Sequence, residues 1–153
     1  SSETTGSGGR QRYASFSFNS QREANNFAKA YSPPKMMVNK TQCCVCDKPF
    51  DRRLRSHSCR NCGVAVCDKC SARWGVKMIP RTYLPAMSSL TVRVCTSCDW
   101  LSNAFCMALL QGRYENAVKF YESGNVNIRC SFADINKEAM FPIHCAVMGG
   151  NLK

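Results

Sequence analysis

CCVCDKPFDRRLRSHSCRNCGVAVCDKCSARW (residues 43–74) and RVCTSC (residues 93–98) decide the fold. Together they hold four Cys-x-x-Cys pairs: Cys43/Cys46, Cys59/Cys62, Cys67/Cys70 and Cys95/Cys98. A two-residue spacer lets the backbone turn and aim both sulfurs at one ion. Zn²⁺ is a borderline-soft cation that takes four thiolates tetrahedrally at about 2.3 Å, so four pairs make two Cys₄ sites. Twelve residues separate Cys46 from Cys59, four separate Cys62 from Cys67, and 24 separate Cys70 from Cys95. The short middle gap is too small for its flanking pairs to share one ion, which predicts interleaving. Cys43, Cys46, Cys67 and Cys70 then take one Zn²⁺, and Cys59, Cys62, Cys95 and Cys98 the other. Four protein ligands leave no open position for water or substrate, so the role is structural. Cys44 offers a second register, but only Cys43 keeps the two-residue spacer to Cys46. The rival reading is a disulfide framework, and nothing resembling a secretory signal precedes the cysteines to favour it.

The cysteine-rich part is too small to bury a generous core, so metal must supply much of its folding free energy. No apolar run in the 153 residues approaches the roughly 20 that a spanning helix needs. The thiols point to a reducing, cytosolic setting. The formal charge is +11. Eight thiolates on two divalent ions leave the holo chain near about +7, still basic, which favours an anionic partner such as a phospholipid headgroup, nucleic acid or an acidic protein patch. A merely solvated basic surface is the plainer reading.

Residues 1–12 are expected to be a disordered tail or linker, from the Gly/Ser-rich start SSETTGSGGR. Residues 13–39 read as a short strand (YASFSF, 13–18) followed by a helix from Gln21 to Tyr31. Ser20 suits its N-cap, and Ser32-Pro33-Pro34 stops it. Residues 40–100 form the zinc module. From 101 to 153 helical periodicity replaces cysteine pairs. Asn103 can cap a helix through about Leu110, Gly112 breaks it, and a second helix runs from about Tyr114 to Glu122 before Gly124. The connection from Ser71 to Thr91 carries Trp74, Met78, Ile79, Tyr83, Leu84 and Met87, which either cover the small core or offer a second contact surface.

The zinc module resembles the FYVE zinc-finger family. Phe50 follows Cys46 by four residues, and Arg55-Ser56-His57-Ser58-Cys59-Arg60-x-Cys62-Gly63 is similar to the family's basic, His-containing signature. Cys67-x-x-Cys70-Ser71 and Arg93-Val94-Cys95 match its later motifs. RING fingers share the interleaved topology, but they generally use a His ligand, and eight cysteines here leave none needed. The resemblance implies an α+β module of two small antiparallel hairpins and a C-terminal helix around two Zn²⁺. It also implies binding of phosphatidylinositol 3-phosphate by a peripheral protein on cytoplasmic, endosomal membranes. A phosphomonoester needs guanidinium forks and imidazole donors in a fixed pocket. By the match, Arg55, His57, Arg60 and Arg93 are the headgroup candidates, and Arg52, Arg53 and Leu54 the membrane-contact tip.

The chain departs from the pattern at several positions. Ser56 and Ser58 stand where the family has a second basic residue and a second His. Met36-Met37-Val38-Asn39 lies where the family has Trp-x-x-Asp, and the tip Asp51-Arg52-Arg53-Leu54 is polar but for Leu54. Each lost charge-assisted bond removes roughly 1.5–3 kcal/mol of headgroup affinity. Arg52 and Arg53 return about 1 kcal/mol each at an anionic surface. A finger that keeps its zincs and has lost the lipid pocket is the alternative, leaving a protein-interaction scaffold.

Residues 104–128 (AFCMALLQGRYENAVKFYESGNVNI) resemble an ankyrin repeat, and FPIHCA (141–146) resembles the opening of a second one. Gly112 and Gly150 take equivalent places. A repeat cannot bury its apolar face without a neighbour, so an array continuing beyond Lys153 is expected, with a protein partner on its face. His144 reads as structural, and Cys106, Cys130 and Cys145 as small buried hydrophobes. Neither an enzyme nor a nucleic-acid binder is expected. Both metal sites are closed, no acid/base set is visible, and basic and aromatic residues do not interleave as single strands require.

Overall fold

The computed structural model describes residues 20–31, 34–75, 91–133 and 139–151. The tail 1–12, the strand expected over 13–18 and the apolar residues of 76–90 lie outside the described residues. In chain order the elements are α1 (Gln21–Tyr31), β1 (His57–Ser58), β2 (Ala65–Val66), a 3₁₀ turn (Asp68–Cys70), β3 (Ser71–Trp74) and β4 (Val92–Cys95). There follow α2 (Thr96–Leu110), α3 (Tyr114–Glu122), β5 (Phe132–Ala133), β6 (Ala139–Met140) and α4 (Pro142–Gly149). Among the described residues three antiparallel pairs form: β1–β2, β3–β4 and β5–β6.

Local chemistry sets these boundaries. Ser20 Oγ accepts the Glu23 N–H at 3.2 Å, the N-cap that starts α1. Gly112 and Gly124 sit at φ +64° and +79°, the left-handed region that ends α2 and α3. The helix expected from Asn103 begins at Thr96 instead. Its cap is Cys95, whose Sγ accepts the Cys98 N–H at 3.3 Å. The last Cys-x-x-Cys pair therefore opens α2, and one continuous helix crosses the position where composition changes.

Two cores result. The first surrounds the thiols: Val66, Trp74, Val92 and Val94 are buried with Cys43, Cys59, Cys67, Cys95 and Cys98. Trp74 sits in β3 at the start of the apolar connection, covers this core, and donates its indole N–H to Asp99 Oδ1 at 2.8 Å. The second lies among the helices, where Leu101, Phe105, Cys106 and Ala108 of α2 meet Ala117 of α3 and Cys145 of α4. A Cβ on Gly149 would stand 1.9 Å from the Leu109 carbonyl oxygen, so α4 lies on α2 at backbone contact.

The finger and the helices interlock. Cys130, from the loop after α3, is buried in the finger's core. Asn61, between Arg60 and Cys62, is buried and donates to the Asn125 carbonyl at 2.8 Å. Asn26 of α1 is buried and donates to the Tyr121 carbonyl of α3.

Candidate metal centres and anion-binding face

The eight predicted cysteines gather as two sets, Cys43/Cys46/Cys67/Cys70 and Cys59/Cys62/Cys95/Cys98, with all sulfurs of a set within 4.8 Å of one another. A tetrahedron with 2.3 Å metal–sulfur bonds has edges of about 3.8 Å. The Cys46–Cys67 and Cys62–Cys95 sulfurs are each 3.9 Å apart, one edge in each set. Backbone N–H groups point at the sulfurs: Cys62 to Cys59 Sγ and Cys67 to Cys43 Sγ, both at 3.4 Å. Such donors favour thiolate over thiol. Burial pushes the Cys43 thiol up, but the N–H groups of Cys67, Val45 and Cys46 outweigh it and hold the group at about 6. Hydrogen bonds from Cys62, Cys95 and Cys98 hold Cys59 far below its ordinary range. The donor set fits Zn²⁺, and the chain holds two zinc ions in interleaved structural sites.

The first two knuckles are built alike. Asp47 N–H donates to the Cys43 carbonyl at 2.8 Å and Gly63 N–H to the Cys59 carbonyl at 2.9 Å. Both Asp47 and Gly63 have positive φ, +56° and +85°. Asp tolerates this conformation, but Gly63 has a further reason. A Cβ there would lie 2.2 Å from the Lys35 carbonyl oxygen, because residues 35–37 cross directly over it.

The second knuckle aims the basic signature at β4. Arg60 N–H donates to the Arg93 carbonyl at 2.9 Å, joining two headgroup candidates through their backbones. Burial, then the charge of Arg93, pull His57 below the usual imidazole range, with Asp68 opposing and Arg73 and Arg55 adding to the pull. Thus Arg55, His57 and Arg93 share one electrostatic neighbourhood, and Arg60 adjoins it. Arg60 and Arg55 are exposed. Arg93 is already engaged: its Nη1 is ion-paired with Asp68 and donates to Ser71 Oγ at 2.8 Å. The hydrogen bond and charge of Arg93 hold Asp68 below the usual carboxylate range.

At the tip, Asp51 Oδ1 accepts the N–H groups of Arg53 and Leu54 at 2.7 and 2.6 Å, a tight side-chain-capped turn. Arg52 and Arg53 are exposed. Leu54, expected at the membrane, is half-buried against the finger's core, which leaves the tip basic with little apolar surface. Two participants escaped the sequence reading. One is Asp68. The other is Lys40, whose Nζ donates to Ser58 Oγ at 2.6 Å. Nothing in the local sequence marks either, since both acquire partners only through the fold.

The molecule is thus a closed two-zinc binding module with a basic face around its second knuckle. Residues 35–104 match the sequence profile of the FYVE zinc finger. This segment is a FYVE zinc finger. It is similar to WD repeat and FYVE domain-containing protein 2 of Mus musculus, 38% identical over 73 residues, spanning 40% of this chain and 16% of that protein. It is also similar to pleckstrin homology domain-containing family F member 2 of Gallus gallus, 44% identical over 64 residues, 40% of this chain and 23% of that one. RUN and FYVE domain-containing protein 2 of Homo sapiens is 42% identical over 62 residues, 40% of this chain and 9% of that protein. A solved structure, the VHS and FYVE tandem domains of Hrs, a protein involved in membrane trafficking and signal transduction, aligns with a TM-score of 0.36. It is 29% identical and covers 45% of this chain and 29% of that one. The matches span less than a quarter of each of these three curated relatives. Among the described residues, no helix is long and apolar enough to cross a membrane.

Proposed function

We propose that the chain is a membrane-targeting adaptor. Its FYVE zinc finger binds phosphatidylinositol 3-phosphate on the cytoplasmic face of endosomes, as a peripheral protein. The observation that carries this reading is the Arg60 N–H bond to the Arg93 carbonyl, which sets two guanidinium-bearing residues side by side on a zinc-fixed backbone. A fixed backbone beneath both residues suits a phosphomonoester, because it holds the two forks' origins at a set spacing. Arg52 and Arg53 add nonspecific attraction to anionic lipid. The role is binding, not catalysis, since each metal has four protein ligands.

The α2–α4 segment is an ankyrin-like unit that holds a protein partner. In support, Gly112 and Gly150 close α2 and α4 with the same left-handed conformation, φ +64° and +67°. Asn151 Nδ2 donates to the Gly112 carbonyl at 2.8 Å, so one turn stacks on the other. A second reading, a protein scaffold with a purely structural finger, is favoured by one observation: Asp68 already occupies Arg93.

Co-sedimentation with liposomes tests the choice. Phosphatidylinositol 3-phosphate, other phosphoinositides and phosphatidylserine are compared at matched charge, with wild type and Arg60→Ala. Selective pelleting lost in the variant supports the lipid reading. Equal pelleting with all anionic lipids leaves a basic patch, and none from a zinc-loaded, folded sample leaves the scaffold.

A further inference from the structure

The finger's signature lacks its second histidine, and Ser58 stands in that place. A serine hydroxyl carries no charge, yet this one is not alone. Lys40 Nζ donates to Ser58 Oγ at 2.6 Å, across 18 residues of sequence. The approach is set by backbone. Met37 N–H donates to the Gly63 carbonyl at 3.0 Å and Cys44 N–H to the Ala65 carbonyl at 2.8 Å, so the segment carrying Lys40 is fastened at both ends beside β2. Ser58 of β1 pairs with Ala65 of β2. Lys40 is therefore held one strand away from Ser58.

We infer that Lys40, seated on Ser58, is a specificity-determining contact for the phosphoinositide headgroup, replacing the imidazole that the chain lacks. The inference rests on the lipid reading above. Three physical points carry it. First, an ammonium has three donors, and Ser58 uses one, which leaves donors for an anion. Second, a hydroxyl that accepts from a cation becomes a stronger donor through its own O–H, so the pair offers two donors to one phosphate or to inositol hydroxyls. Third, charge balance favours Lys40 over Arg93. Arg93 faces the carboxylate of Asp68, whereas Lys40 is answered among the described residues by a neutral oxygen. Ser58 lies between His57 and the Cys59–Arg60 knuckle, so Lys40 brings a further cation to the same signature that carries the arginine cluster.

The test uses the zinc-loaded 153-residue chain and vesicles containing phosphatidylinositol 3-phosphate, or phosphatidylserine at matched charge. Lys40→Gln is compared with Lys119→Gln, a like loss of charge from exposed α3 surface. Lys40→Gln should weaken binding to the 3-phosphate vesicles about ten-fold, as loss of one charge-assisted bond requires, while Lys119→Gln should not. Ser58→His added to Lys40→Gln should recover much of the loss. Zinc content and far-UV circular dichroism confirm folding of each variant. If wild type binds selectively and Lys40→Gln binds equally well, Lys40 has no such role and the lipid reading stands. If Lys40→Gln weakens both vesicle types equally, Lys40 is only surface charge, and the inference fails. If wild type shows no preference for the 3-phosphate, the lipid reading itself fails and takes the inference with it.

Discussion

Asp68 ion-pairs with Arg93 across the mouth of the basic face, linking the third cysteine pair to β4. The pair has a local cause. Arg93 lies directly opposite Arg73 in the β3–β4 register, and like charges facing each other across strands destabilise the sheet. Asp68 relieves that repulsion. It also competes with any phosphate for the same guanidinium. Asp68→Asn should therefore raise affinity for phosphatidylinositol 3-phosphate vesicles several-fold, with a smaller gain on phosphatidylserine. Unchanged or weaker binding in the co-sedimentation assay would show that Arg93 does not reach the ligand.

Metal removal should reach beyond the finger. Cys95 both completes the second Cys₄ set and caps α2. Cys95→Ala should leave one Zn²⁺ per chain by native mass spectrometry. The helical signal in circular dichroism should also fall, because α2 loses its cap and the finger loses its brace. A variant that keeps two ions would contradict the ligand assignment. Thiolates bind metal and thiols do not, so acidification should release zinc and unfold the finger together.

The ligand set was legible because metal spacing is local: two residues per knuckle and a gap too short to share. The start of α1 and the ends of α2 and α3 were legible too, since Ser20, Gly112 and Gly124 act on their immediate neighbours. The start of α2 was not. Its cap is a sulfur, which no cap preference anticipates, and Asn103 offered a conventional alternative. The basic face was half legible. Arg60 and Arg93 stand in the motif, but Lys40 meets Ser58 only because residues 35–37 cross Gly63. Leu54 has the apolarity of a membrane tip, and only the turn at Asp51 shows it shared with the core.

Gly63→Ala should test that crossing. The new Cβ would meet the Lys35 carbonyl at 2.2 Å in a backbone conformation that L residues seldom adopt. The expected cost is about 1–3 kcal/mol in chemical denaturation, as for other overpacked sites. The segment leading to Lys40 should lift away, so selective lipid binding should fall even where zinc content stays at two. Full binding in a folded Gly63→Ala protein would mean that the crossing does not position the lipid contacts.

Gly149→Ala separates the helical unit from the finger. The Cβ would stand 1.9 Å from the Leu109 carbonyl oxygen, so α4 must move off α2. Beyond α4 the exposed faces of Ile143, Val147 and Met148 have no cover among the described residues. Displacing α4 therefore exposes Cys145 and Cys106 with little to offset it. Thiol labelling under native conditions should become faster at these two cysteines by an order of magnitude or more, as a loss of about 1–3 kcal/mol in local stability implies. Lipid binding should be unchanged, because Arg60, Arg93 and Lys40 lie on the finger. Equal loss of lipid binding would instead show that the interlock through Asn61 and Asn125 transmits the displacement to the second knuckle.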